Sequence, residues 1–267
     1  MQRKETMNME SDSGTFRGKV VLVTGGAKGV GRGITQRFLQ QDATVVVCGR
    51  SAPDSLPSCG GRSAEFIAAD VRDADAVEAL VQAVVQRHGR IDVLVNNAGG
   101  TPYALAADAS PRYHESIVRL NLLAPLLLAI RANAVMQAQG GGVVLFIGTV
   151  GAYDARPGSA TYAAAKAGIV SLTRSLAVEW APKVRVLCVS PGLVRTEQAH
   201  QHYGDDAGIA AVSATVPLGR MALPEDIGDA CVFMASPQAA YVSGVDLLVH
   251  GGGEKPAFLD AANVNKS

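Results

Sequence analysis

The feature that most constrains this 267-residue chain is an alternation between short β-branched apolar runs and longer stretches whose apolar residues recur at helical spacing. The runs cover residues 20–23, 44–48, 64–68 (the weakest), 91–95, 143–147, 184–189 and 245–249. Between them lie helical patterns that end near Gln41, at 74–88, 111–139 and 159–180, with a short one at 224–235. In the 74–88 stretch Val77, Leu80, Val81, Val84 and Val85 share one face, and Gly89 supplies a stop. Repeated strand–helix–strand order predicts a parallel sheet with helices on both faces, because crossover helices must cover both sides. Nothing in the composition divides the chain. The expectation is one α/β domain over 18–253, with seven mainly parallel strands. A polar arm, 1–17, expected to be disordered, precedes it, and a tail, 254–267, follows. Residues 197–216 hold two histidines and weak helical character, and read as a lid.

Lys plus Arg equals Asp plus Glu at 24 each, so the chain lacks the basic footprint of a nucleic-acid binder. Cys48, Cys59, Cys188 and Cys231 match no metal or CxxC spacing and read as free thiols of a reducing compartment. The first residues have no apolar core like that of a signal peptide. The greasiest stretch, 120–130, is too short for a bilayer and contains Asn121 and Pro125. A cytoplasmic protein without membrane, nucleic acid or metal is expected; His200 and His202 have no convincing partners for a metal.

The first run leads into Thr24-Gly25-Gly26-Ala27-Lys28-Gly29-Val30-Gly31. A glycine-rich turn between a strand and a helix lets backbone N–H groups approach a diphosphate, with the positive end of the helix dipole facing it. The second run ends at Gly49-Arg50, with no acid until Asp54. A site for NAD(H) ordinarily has an acid there for the ribose 2′-OH. Arg50 and Lys28 could instead hold a 2′-phosphate, which favours NADP(H) with NAD(H) as the alternative; otherwise both are solvated surface charges.

Tyr162 and Lys166 are four apart on a predicted helix and therefore share a face. A neighbouring ammonium favours the phenolate and eases proton transfer. Thr149 lies 13 residues before Tyr162, just after the fifth run, where open α/β sheets place ligands.

These pieces together resemble the short-chain dehydrogenase/reductase family, over about 18–252. They are the Thr24–Gly31 turn, Asp70-Val71, Asn96-Asn97-Ala98-Gly99, Asn121, Thr149, the Tyr162/Lys166 pair, and Pro191-Gly192 followed by Thr196. The resemblance implies a Rossmann-like, doubly wound fold and a hydride exchanged between a nicotinamide and a carbonyl or alcohol. Tyr162 would be the acid/base, and Lys166 would lower its pKa and hold the nicotinamide ribose. Thr149 would orient the substrate oxygen, and Asn121 would place a water linking Lys166 to solvent. Thr24, Gly25, Lys28, Gly29, Val30, Gly31 and Arg50 would hold the phosphates. Asp70 and Val71 would meet the adenine, and Asn97, Ala98 and Gly99 would line the cofactor. Pro191, Gly192, Val194 and Thr196 would lie along the nicotinamide end. For Asp70, Asn97 and Thr196 the structural alternative is a turn-stabilising hydrogen bond.

Two positions depart from the family pattern. Thr149 stands where Ser is usual, and His250-Gly251-Gly252 replaces Asp-Gly-Gly. The tight Tyr162/Lys166 spacing argues against an enoyl reductase, in which wider spacing is expected. A non-catalytic nucleotide-binding regulator is the other reading. The substrate pocket is expected from 100–105, 151–158 and the lid, with Tyr103 and Tyr153 contributing. The pattern looks nearest to reductases of 3-oxoacyl carrier-protein thioesters, although a ketone, a steroid or a sugar would also fit. Small residues after Tyr162 and the apolar 120–130 stretch accord with a homotetramer, as the family implies.

Overall fold

A computed structural model describes residues 14–254 and Ala261. Strands β1 (Val20–Thr24), β2 (Thr44–Gly49), β3 (Ser58–Cys59), β4 (Arg62–Ser63), β5 (Glu65–Ala68), β6 (Val93–Asn96), β7 (Gly142–Ile147), β8 (Val184–Pro191) and β9 (Asp246–Val249) follow in chain order. Seven of them form one sheet, β5-β2-β1-β6-β7-β8-β9, and every neighbouring pair is parallel. The small antiparallel β3–β4 hairpin stands apart from it and was not expected.

Alternation along the strands explains their apolar continuity, because successive side chains face opposite sides of a sheet buried on both. Leu22, Val46, Leu94, Val144 and Val186 point into one core. Helices α2 (Ala74–His88), α4 (Ala124–Gln139) and α5 (Ala160–Glu179) cover that core. Val21, Val23, Val45, Val47 and Leu187 point into the other, under α1 (Gly29–Gln40) and α8 (Pro224–Ala235). Local chemistry sets the helix ends. Asp73 caps α2 by accepting from the N–H groups of Asp75 and Ala76, and Gly89 ends it in a left-handed conformation.

Two expectations are revised. The arm expected over 1–17 lies outside the described residues up to 13, but its last residues are packed. Phe16 is buried, its ring edge-on to Phe38 with centroids 5.1 Å apart, and its N–H donates to the carbonyl of Gln41. Burying such a side chain contributes roughly 1.5–3 kcal/mol, which holds the segment to the second core. In the tail expected over 254–267, residues 255–260 and 262–267 lie outside the described residues.

The helix expected over 111–139 is not uniform. It runs as α3 (Pro111–Val118), a π turn at Arg119–Leu123, and α4. Pro125 has no N–H to give the carbonyl of Asn121. Asn121 Nδ2 also donates to the carbonyl of Ile117 at 2.9 Å, taking the acceptor a regular turn would offer to a backbone N–H. By length and mean hydropathy (29 residues, 1.4) Pro111–Gln139 could cross a membrane. Here it lies against the sheet, with Leu128, Ala129, Ala132 and Met136 fully buried.

The segment expected as a lid folds as two short helices, α6 (Ala199–Tyr203) and α7 (Asp206–Thr215). Ala199 and Ile209 of these helices form a small buried cluster with Met221.

Candidate active site

From β1 the sheet runs one way through β2 to β5 and the other way from β6 to β9, so a crevice opens at the carboxyl ends of β1 and β6. Two adjoining cavities of about 470 and 480 Å³ fill it, and Gly25, Lys28, Ala98, Gly99 and Gln198 line both. One holds Gly29, Val30, Gly31, Asn97, Thr149, Tyr162, Lys166, Pro191, Gly192, Val194 and Thr196. The other holds Arg50, Asp70 and Val71. Thr24 and Asn121 lie beneath the lining, both buried.

Thr24 and Asn97 build the floor. Thr24 Oγ1 accepts from the N–H groups of Asn97 (3.0 Å) and Ala98 (2.8 Å), and Asn97 Nδ2 donates to the carbonyls of Thr24 (2.9 Å) and Gly25 (3.3 Å). Asn97 therefore spends its amide nitrogen on the glycine turn. At the start of α1, Lys28 provides no side-chain cap and the first turn has no acid. The carboxylate of Glu197 fills that role, accepting from the N–H of Gly29 at 2.9 Å. Asp70 accepts several hydrogen bonds from Arg72, whose guanidinium holds the carboxyl down to about 2. Lys28 and Arg50 are exposed, and neither side chain makes a hydrogen bond among the described residues, although the Arg50 charge acts on the Asp70 carboxylate. Two joined lobes with backbone donors at a helix start suit a dinucleotide.

In the other lobe, α5 carries Tyr162 and Lys166, and the end of β7 carries Thr149. Lys166 is buried, and its Nζ donates to the carbonyl of Ile147 at 2.7 Å and sits 5.8 Å from the Tyr162 ring centroid. Burial lowers the ammonium to about 8. The Tyr162 hydroxyl has no hydrogen-bond partner among the described residues, and burial pushes its phenol up to about 12. The expectation that Lys166 lowers the phenol is not met in this structure. The ammonium is anchored on Ile147 beside the ring, and desolvation of the phenol dominates. Asn121 Oδ1 accepts from the N–H of Gly100 at 2.9 Å, and its Nδ2 donates to the Gly100 carbonyl at 3.0 Å. A Cβ at Gly99 would lie 2.7 Å from Asn121 Oδ1 and 3.4 Å from Lys166 Nζ, so these three residues meet at one point.

Sequence reasoning did not single out Gly148 in the first lobe or Arg72 in the second, and it placed Glu197, Gln198 and His202 there only as part of the expected lid. Gly148 and Arg72 adjoin the flagged Thr149 and Val71, and Glu197 adjoins Thr196. Segments 100–105 and 151–158 do meet, through the N–H of Ala104 and the carbonyl of Gly158 at 2.9 Å. Tyr153 is committed elsewhere: its hydroxyl donates to Asp246 Oδ2 at 2.7 Å. A further cavity of about 530 Å³ opens at the opposite, amino end of the strands, where Lys19 and Arg90 are already paired with Asp92.

Fold and crevice together define a dinucleotide-binding α/β oxidoreductase with a Tyr/Lys pair. A family model described as enoyl-(acyl carrier protein) reductase matches residues 25–254. The chain is 35% identical to the D-threitol dehydrogenase of Mycolicibacterium smegmatis, over 88% of this chain and 92% of that one. It is 34% identical to the 3-oxoacyl-acyl-carrier-protein reductase of Vibrio harveyi, over 89% and 98%. Among solved structures, the ligand-free aldohexose dehydrogenase of Thermoplasma acidophilum superposes with a TM-score of 0.83 at 27% identity, covering 94% of this chain and 98% of that one. The protein belongs to the short-chain dehydrogenase/reductase family and is an enzyme of that family, similar to its 3-oxoacyl-acyl-carrier-protein reductases.

Proposed function

We propose that the protein is a cytoplasmic NADP(H)-dependent oxidoreductase acting on a small carbonyl or secondary alcohol, with Tyr162 as the general acid/base. The observation that carries this reading is the unpartnered Tyr162 hydroxyl, one helical turn from a buried ammonium and in the same cavity as Thr149 and the glycine turn. A bound reduced nicotinamide would supply the hydride at its C-4. In the reductive direction Tyr162, its phenol protonated in the neutral range, gives its proton to the carbonyl oxygen. Thr149 donates its hydroxyl proton to the same oxygen and orients it. Lys166 holds a positive charge beside the phenolate that forms. One of its three N–H donors is spent on Ile147, and the others serve the ribose hydroxyls. Asn121 fixes the Gly99-Gly100 backbone that faces Lys166.

Preference for NADP(H) is supported by Lys28 and Arg50, exposed cations whose side chains make no hydrogen bond among the described residues, where an acid would otherwise meet a ribose hydroxyl. Assembly as a homotetramer is supported by exposed Leu123, Leu127 and Ile130 on the π turn and α4 and Val178 on α5. Light scattering should give a tetrameric mass, and a stable monomer at micromolar concentration contradicts it.

The functional test is NADPH titration followed by a panel of 3-oxo esters and thioesters, diketones, ketosteroids and ketoses. NADPH should bind and be oxidised with at least one class. NADPH binding without any turnover would favour a nucleotide-binding homologue without catalysis.

A further inference from the structure

A carboxylate on β9 ties together two walls of the catalytic lobe, and no step above uses it. Asp246 Oδ2 accepts from the Tyr153 hydroxyl at 2.7 Å and from the Ser190 hydroxyl at 2.8 Å. Its Oδ1 is buried without a hydrogen-bond partner among the described residues. Cys188 is the register partner of Asp246 on β8, and burial and this carboxylate both push its thiol upward, so it stays protonated.

The two donors belong to different walls. Ser190 is fully buried and precedes Pro191-Gly192, which line the lobe. Tyr153 ends a single 3-10 turn, Val150–Ala152, that begins at Thr149. That turn is hydrogen-bonded throughout: Ala152 N–H donates to the Thr149 carbonyl (3.0 Å), and Tyr153 N–H donates to the Val150 carbonyl (2.9 Å). Thr149 Oγ1 itself accepts from the Gly151 N–H at 3.2 Å, so the turn sets the direction of the Thr149 hydroxyl. The Tyr153 ring is 52% exposed, and its hydroxyl bond to Asp246 is the polar anchor for the far end of the turn. Between Thr149 and the Lys166 acceptor Ile147 sits Gly148. A Cβ there would collide with Ser190 Oγ and lie 2.8 Å from Cys188 Sγ, so the group around Asp246 fills the space under the catalytic strand end.

We propose that Asp246 and Tyr153 are positioning residues that hold the Thr149 hydroxyl in its working direction, with Asp246 bracing the Thr149 turn against the Pro191-Gly192 wall. The role ascribed to Thr149 rests on the function proposed above, whereas the brace is a property of the fold and can be read without turnover. Tyr153→Phe deletes only the hydroxyl of a half-exposed side chain and should leave the fold intact.

The first arm is amide hydrogen exchange over 146–154 in the full chain without cofactor. In Tyr153→Phe, exchange at Gly151 and Ala152 should be about tenfold faster, equivalent to about 1.4 kcal/mol, while peptides of α2 are unchanged. Asp246→Ala, where it folds, should reproduce this and also loosen 190–192. Unchanged exchange at Gly151 and Ala152 overturns the brace.

The second arm is a double-mutant cycle with NADPH and ethyl acetoacetate, or the best carbonyl of the panel. Tyr153→Phe should lower kcat about tenfold, the scale of a modest misorientation, with the Kd for NADPH unchanged. In a Thr149→Val background the same change should cost nothing further. Fully additive losses overturn the positioning role. A wild-type protein that neither binds NADPH nor turns over any carbonyl sinks the proposed function, and the exchange arm still decides the brace.

Discussion

Lys166 Nζ donates to the carbonyl of Ile147 at 2.7 Å, and this bond sets the ammonium beside the Tyr162 ring, 5.8 Å from its centroid. The two residues are perturbed in opposite directions, Lys166 to about 8 and Tyr162 to about 12, and burial is the leading cause for both.

A pH-dependent stability follows from Lys166. An unfolded lysine titrates near about 10.4, above the folded value of about 8. Between those values the unfolded chain binds more protons, so the contribution of this group to stability rises with pH across that window. Below about pH 8 the buried charge is a cost. Urea denaturation of wild type and Lys166→Met at pH 7 and pH 10 should show the difference moving in favour of wild type at the higher pH. A difference that stays constant contradicts the buried, depressed ammonium.

Cofactor choice rests on Lys28 and Arg50. A hydrogen bond to a charged partner contributes about 1.5–3 kcal/mol, and about 1.4 kcal/mol is tenfold in affinity. Lys28→Ala combined with Arg50→Asp should weaken NADPH binding by about 10- to 100-fold or more and leave NADH binding within a few-fold. Fluorescence titration of both nucleotides checks this, and an unchanged preference contradicts the NADP(H) reading.

Glu197 accepts from the N–H of Gly29, one of the donors that would face the diphosphate. Its carboxylate competes for that donor and repels an incoming anion. A neutral amide oxygen competes less, by about 1 kcal/mol on the scale that separates charged from neutral hydrogen bonds. Glu197→Gln should therefore bind NADPH about fivefold tighter. Isothermal titration reads this, and weaker binding would show that Glu197 supports the cofactor instead.

Asn121→Leu keeps the approximate volume but strips partners from the Gly100 N–H, the Gly100 carbonyl and the Ile117 carbonyl. Each buried group left unsatisfied costs about 1–3 kcal/mol. A urea midpoint shift equivalent to at least about 2 kcal/mol is expected. A loss below about 0.5 kcal/mol would mean the π turn stands without this side chain.

What the sequence revealed was local. β1, β2, β6, β7 and β8 announce themselves because each feeds two cores and so carries unbroken apolar residues. The 64–68 run is legible but weaker, since Glu65–Ala68 is an edge strand with partly exposed side chains, and the two-residue strands of the β3–β4 hairpin are too short to show a pattern. Spacing alone brings Tyr162 and Lys166 to one face. It says nothing of the Ile147 carbonyl, 19 residues away, or of the burial that raises the phenol. Glu197 with Gly29, Tyr153 with Asp246, and Asn121 with Gly100 are separated by 168, 93 and 21 residues. Each depends on which strand ends become neighbours, and no local pattern encodes that. Phe16 was assigned to a polar arm because its partner, Phe38, lies on another element.

The central claim is that the Tyr162 hydroxyl moves the proton. The measurement that tests it most directly is NADPH oxidation by wild type and Tyr162→Phe on the same carbonyl, with the NADPH Kd determined for both. General acid catalysis of this kind contributes about 10²- to 10⁴-fold, so the variant should lose at least about 10²-fold in kcat while its NADPH affinity stays within about twofold. Equal rates in the two proteins would contradict it.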